Sequence, residues 1–166
     1  MTSRFSHRTT FATPVDTAFA TFVDRAYLTE RLDAIGGKGA ALLDHAERGE
    51  EVAYRLRQGV DAQKLPGAVR SILGGDLVVE REERWRPDGG DYVSRSKVSI
   101  SGVPGEITAR SRLVGAEQQC ELIVDAEVRV NIPLVGGKLE KVVAEQVTKL
   151  LVAESEFAEK WLAERG

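Results

Sequence analysis

Two histidines, one cysteine and two Gly-Gly-Lys triplets are the residues of this 166-residue chain that most readily suggest chemistry. Imidazole titrates in the right range for a general acid or base. His7 shares strand parity with Phe5 and Phe11, so it faces inward, and a hydrogen-bonded wall histidine is the favoured reading over a catalytic one. His45 sits in LLDHAERG with Leu43 on its face. The two histidines do not form an H-x-x-x-H spacing and no cysteine pair accompanies them, so no metal site or cofactor is expected. Cys120 alternates with Leu122, Val124 and Ala126, which reads as a small buried hydrophobe rather than a nucleophile. There is no G-x-S-x-G to present a serine. The triplets at Gly36 and Gly136 fail as phosphate loops. The glycine required five residues before each Gly-Lys pair is Leu32 or Ile132, and the Ser or Thr required after the lysine is Gly39 or Leu139. Gly136-Gly137 is expected instead to allow a sharp reversal through positive φ.

Polar residues inside apolar stripes are the other candidates. From Leu139 the chain reads as one long amphipathic helix, on which Val143, Leu150, Phe157 and Trp161 fall within about 40° of one another. Val142, Val147 and Ala153 flank that stripe, and Gln146 and Glu154 lie within it. A carboxylate facing a dry core is costly unless paired. Two explanations stand for Glu154: an edge position reaching water or an arginine, or a place on a cavity wall. In the run Glu80–Arg84, Arg81 and Glu83 share parity with Val79 and Trp85, so one of those charges could point inward.

The elements that must position these residues follow from periodicity. Phe5 to Phe11 alternates as a half-buried strand. Two short helices follow: one opens at Pro14 with Thr13 as N-cap, and one is capped by Asp24 with Ala26, Tyr27, Leu32 and Ile35 inward until Gly36-Gly37 stops it. Strands are expected at Ala40–Glu47, Glu51–Gly59, Asp76–Arg86, Asp91–Ser101, Gly105–Val114 and Gln118–Ile132, joined by hairpin-length turns. Lys64–Leu73 breaks the pattern with Pro66-Gly67 and a short helix or loop. The fold class is therefore α+β: a curved antiparallel sheet, with the first strand pairing the last, wrapped around the long C-terminal helix. A stripe about seven turns long needs a sheet to cover it.

With FSHRTTFATPVDTAFATFVD at one end, RWRPDGGDY in the middle and IPLVGGKLEKVVAEQV leading to FAEKWL, the chain resembles the START-like (helix-grip, Bet v 1-type) superfamily. Within it the chain looks most like an uncharacterised actinobacterial family of unknown function. The resemblance covers essentially residues 1–166 as a single START-like domain. It implies a sheet of about seven strands around the C-terminal helix, with an internal cavity for a hydrophobic small molecule. The superfamily includes lipid and sterol carriers, hormone receptors and polyketide cyclases; it has no universal catalytic residues, so none is carried over.

The expected function is binding of a hydrophobic or amphipathic, lipid-like or polyketide-like molecule between sheet and helix. Strand parity and the helix stripe place His7, Tyr54, Trp85, Tyr92, Ser94, Ser96, Ala109, Ser111, Val124, Val143, Gln146 and Leu150 on the wall. The small residues among them leave room that a solid core would not. A mouth is expected at Gln58–Gly75 and Ser101–Gly105. The rivals are a cyclase- or hydratase-like enzyme using His7, Glu83 or Glu154, and a protein-interaction module with a filled core; binding is favoured over catalysis. A net charge of -3, with 42% hydrophobic and 30% charged residues, gives no bulk attraction for nucleic acid. The opening MTSRFSHRTTF has no apolar h-region, and no run approaches the ~18 apolar residues of a membrane span, so a cytoplasmic protein is expected.

Overall fold

Alternation builds the first strand. In β1 (Thr2–Phe11), Phe5, His7, Thr9 and Phe11 turn toward the interior while Arg4, Ser6, Arg8 and Thr10 stay exposed. The computed structural model describes residues 2–165. Helices α1 (Val15–Phe22) and α2 (Arg25–Ile35) come next. Asp24 caps α2 as its position suggests, accepting the Tyr27 N–H at 3.1 Å. The expected Thr13 cap of α1 is absent. Pro14 is the last extended residue, at φ -58° and ψ 149°, and it occupies the N-cap position with no side-chain cap bond. That leaves the Thr13 hydroxyl one residue too early to reach the first free N–H groups.

The remaining strands are β2 (Ala41–Arg48), β3 (Glu51–Val60), β4 (Leu77–Asp88), β5 (Asp91–Ile100), β6 (Gly105–Gly115) and β7 (Cys120–Val130). A 3-10 turn at Ala62–Lys64 and helix α3 (Gly67–Leu73) separate β3 from β4, and α4 (Gly136–Arg165) closes the order. All seven strands form one antiparallel sheet in the order β1-β7-β6-β5-β4-β3-β2. β1 pairs β7 along its whole length, with His7 opposite Val124 and Phe11 opposite Cys120. Helix α4 lies across the concave face and contacts β1 and β7 most. Burial of its apolar stripe there, at ~25 cal/mol per Å² of apolar surface, is what holds so long a helix in place.

The reversal into α4 differs from expectation. Gly136 and Gly137 lie inside the helix, and the positive φ belongs to Leu134, at 72°, with its side chain fully exposed. Gly136 serves close approach instead: a Cβ there would stand 2.7 Å from the Val130 carbonyl oxygen. One turn on, the buried Glu140 carboxylate accepts the Val130 N–H at 2.9 Å. Missing bulk at Gly136 and the carboxylate of Glu140 together pin the helix start onto the end of β7.

Candidate functional site

Two clusters of buried hydrophobic residues lie under α4. One gathers Phe11, Phe22, Tyr27, Leu56, Trp85 and Leu162, the other Ile107, Val128, Leu139 and Val143. Between helix and sheet there is a cavity of about 520 Å³. Val143, Gln146, Val147, Leu150 and Glu154 of α4 form one wall, and Tyr27, Arg31 and Ile35 of α2 another. The floor comes from the sheet, including Val79, Val98, Ile107, Ala109, Leu122, Val124 and Ala126. Its exposed lining residues, Gly37, Lys38, Asp61, Lys64 and Lys149, mark the side that meets solvent. Gly37 and Gly59 allow this rim to close tightly. A Cβ on Gly37, at φ 81°, would collide with the Gly59 carbonyl, and the Gly59 N–H donates to the Gly36 carbonyl at 2.8 Å. The first Gly-Gly-Lys triplet is thus part of the rim.

Charge is concentrated on one part of the wall. Glu154, only 6% exposed, meets Arg81 Nη1 at 2.8 Å through Oε2 and Arg31 Nη1 at 3.6 Å through Oε1. Gln58 donates its amide to the same Oε2 at 3.2 Å. Arg81 Nε lies 2.8 Å from Glu83 Oε2, a contact close enough for an ion pair but without hydrogen-bond geometry. Burial alone would raise the Glu154 pKa. The Arg31 and Arg81 charges, with hydrogen bonds from Arg81 and Gln58, outweigh it and hold the carboxyl at about 2. Burial opposes the charge on Arg81 as well, and Glu154 and Glu83 more than offset it. Glu154 is a fixed anion at neutral pH. The cluster is incompletely satisfied: among the described residues, Arg31 Nε and Nη2 and Gln58 Oε1 have no hydrogen-bond partner. Unpaired buried donors and acceptors make this the most costly part of the interior.

His7 lies on the cavity wall beside α4. Its Nε2 lies 2.9 Å from the Thr9 hydroxyl and 3.0 Å from that of Ser155, and Thr9 donates to Ser155 at 3.0 Å. Burial lowers the His7 pKa, with Glu154 pulling the other way, so the imidazole is neutral near pH 7. Tyr54 and Trp85 close the floor, the indole N–H donating to the phenol at 3.3 Å. Among the described residues no group of three or more His, Cys, Asp or Glu could hold a metal ion, and no helix is long and apolar enough to cross a membrane.

Residues 6–162 match a protein family described as protein of unknown function (DUF2505). The chain belongs to that family. An uncharacterised protein of Mycobacterium tuberculosis is 32% identical over 108 residues, 63% of this chain and 62% of the relative, so the chain spans less than two thirds of that relative's length. Among solved structures, a START superfamily protein from Mycobacterium smegmatis superposes with a TM-score of 0.59 at 18% identity, covering 95% of this chain and 98% of the other. Norcoclaurine synthase from Thalictrum flavum, in complex with dopamine and hydroxybenzaldehyde, gives 0.66 at 14% identity, covering 100% and 89%. The fold is the START-like helix-grip fold.

In this DUF2505 chain, ten of the residues expected on the wall do line the cavity: His7, Tyr54, Trp85, Ser96, Ala109, Ser111, Val124, Val143, Gln146 and Leu150. Tyr92 and Ser94 do not. Helix α1 covers that end of the sheet, where Phe19 stacks on Tyr92 at 3.8 Å and meets Trp85 edge-on at 6.0 Å. The Tyr92 hydroxyl donates outward to Asp16 at 2.8 Å, and Ser94 is buried with its hydroxyl unpartnered. Of the expected mouth segments, Gln58–Asp61 and Lys64 contribute, whereas Ser101–Gly105 does not, because Val103 is drawn into the core. Arg31 escaped the sequence reading, and Gln58 was expected at the mouth rather than as a partner of Glu154. Helix α2 buries Tyr27, Leu28, Arg31 and Leu32 and exposes Ala26. The available signal was complementarity: an arginine in the apolar stripe of one helix and a glutamate in that of another.

Proposed function

We infer that this protein binds a hydrophobic or amphipathic small molecule, lipid-like or polyketide-like, in the space between α4 and the sheet. The observation that carries the reading is the cavity itself: about 520 Å³, with a largely aliphatic floor and its polar groups gathered around Glu154 and His7. That combination of size, apolar lining and few converging polar groups is what small-molecule sites look like. Burial of apolar ligand surface drives binding, and the polar groups orient one end. Norcoclaurine synthase, on the same fold, is a structure with two small aromatic molecules bound. The reading includes a single domain over residues 1–166 and a cytoplasmic location.

Native mass spectrometry of the purified protein, followed by organic extraction, tests this directly. A retained molecule, or displacement of a fluorescent naphthylamine probe by long-chain compounds, is the expected result. A probe that never binds wild type, or binds unchanged when Ala109 and Val124 are both enlarged to Phe, overturns it.

A cyclase- or hydratase-like activity is the second reading, and His7 favours it: a neutral imidazole on the cavity wall can accept a proton. Glu154 is too firmly ionised to donate one. Turnover of a bound polyketone that survives His7→Gln would remove that role.

A further inference from the structure

The outer face of the sheet carries five exposed arginines close together, Arg84, Arg86, Arg95, Arg110 and Arg112, three of them directly opposite one another across the strands. Register sets Arg84 opposite Arg95 and Arg95 opposite Arg110 across β4, β5 and β6. Two residues further along, Arg86 lies on β4 and Arg112 on β6, both opposite Val93 of β5. Arg84 is partly neutralised by Glu51 at 3.4 Å and Glu82 at 3.2 Å. Among the described residues, Arg86, Arg95, Arg110 and Arg112 have no carboxylate within 4.0 Å. Asp125, opposite Arg110, takes the Ser6 hydroxyl instead, at 2.6 Å. Like charges placed directly opposite across strands destabilise a sheet. A neighbouring row shows the usual alternative, with Arg55, Glu82, Lys97, Thr108, Glu127 and Arg4 following in register.

We propose that this arginine array is a docking surface for an acidic, extended protein segment. The array has two tracks, Arg84–Arg86 on β4 and Arg110–Arg112 on β6, about 9.6 Å apart across two strand spacings, with Arg95 on β5 between them. Within each track the spacing is two residues, about 6.8 Å. An extended peptide laid over β5 repeats its same-face side chains at that distance, so alternate carboxylates meet guanidiniums from both tracks. Guanidinium forks grip carboxylates bidentately. Half-buried Val93 supplies apolar contact in the middle. The surroundings favour a short segment over a long polyanion. Exposed or half-exposed carboxylates, among them Glu82, Glu121, Glu127, Asp88 and Asp91, border the array, and the whole chain is at -3. A nucleic acid running along β5 beyond the array would meet Glu82 at one end and Asp88 and Asp91 at the other.

The test uses a fluorescein-labelled pentapeptide, Thr-Glu-Thr-Glu-Thr, its Gln-for-Glu counterpart, a 20-base-pair DNA duplex and phosphatidylglycerol vesicles, each against the wild type and the double variant Arg95→Gln/Arg110→Gln. The Glu peptide is expected to bind wild type in low salt, to weaken as salt is raised, and to bind the double variant about tenfold less tightly. The Gln peptide should not bind. Both positions are exposed and repel each other, so the double variant should melt at or above the wild-type temperature. The proposal is overturned if the Glu peptide does not bind, or binds both proteins alike. It is equally overturned if the duplex or the vesicles bind the wild type more tightly than the peptide does.

Discussion

Along α4, the stretch from Phe157 to Leu162 and the stretch from Val143 to Glu154 face one concave sheet and meet it differently. In the first, the Tyr27 ring lies 5.4 Å from Trp161, 5.7 Å from Phe157 and 6.0 Å from Phe22, and Phe22 meets Phe11 at 5.3 Å. Large rings at these separations pack against one another and close that end of the cavity, which Phe11, Phe22 and Tyr27 border on one side. In the second, Val143, Gln146 and Leu150 stand over Ala109, Val124 and Ala126, and a cavity remains. Glu154 marks the border between the two. Its partners come from helix α2 and strands β3 and β4, so the cluster ties four elements together at a fixed separation. Such a strut opposes closure of the open region, since collapse would strip a charge of its partners. The filled region supplies stability and the open one spends part of it.

Three measurements would break or sharpen that contrast. Tyr27→Ala should have the largest effect, about 3–5 kcal/mol lost in urea unfolding, because it removes a buried ring packed against three other aromatic rings. Acid comes next. The folded pKa of Glu154, about 2, lies below its ordinary 4.5, so its pairing contributes fully above that ordinary value. The contribution fades as pH falls toward 2, amounting to roughly 3 kcal/mol in total. The difference in stability between wild type and Glu154→Gln should therefore shrink between pH 5 and 2 (about the window the shift defines). A constant difference would mean that Glu154 is not a charged strut. Leu150→Ala should cost least, about 1 kcal/mol, since its side chain already borders open space. If it costs as much as Tyr27→Ala, the second stretch is packed as densely as the first.

Much of this architecture was legible because periodicity reports which face an element buries. The alternation of β1 and the stripe of α4 identified both sides of the cavity, including His7 and Gln146. What periodicity could not report was depth. Tyr92 and Ser94 have the right parity, but α1 is laid over that end of the sheet, and nothing in a strand's own sequence says which helix will cover it. Arg31 was missed because a charged residue on a short helix reads as solvent-facing until its partner is known. Likewise Gly136 looked like a turn residue, since its true constraint, the carbonyl of Val130, lies on another element. Cys120 was read correctly from its neighbours; burial pushes its thiol up to about 11, where it is inert.

The pairing of β1 with β7 has a consequence for how the molecule comes into being. During synthesis β1 must wait for residues 120–129 before it finds its hydrogen-bonding partner, and α4 follows only after that. Until then the concave face, later the floor of the cavity, is open to solvent and to other chains. Contacts this distant in sequence make for slow folding. The growing chain is thus most vulnerable to aggregation before α4 emerges, and any molecule that fills the concave face at that moment would act as a folding aid.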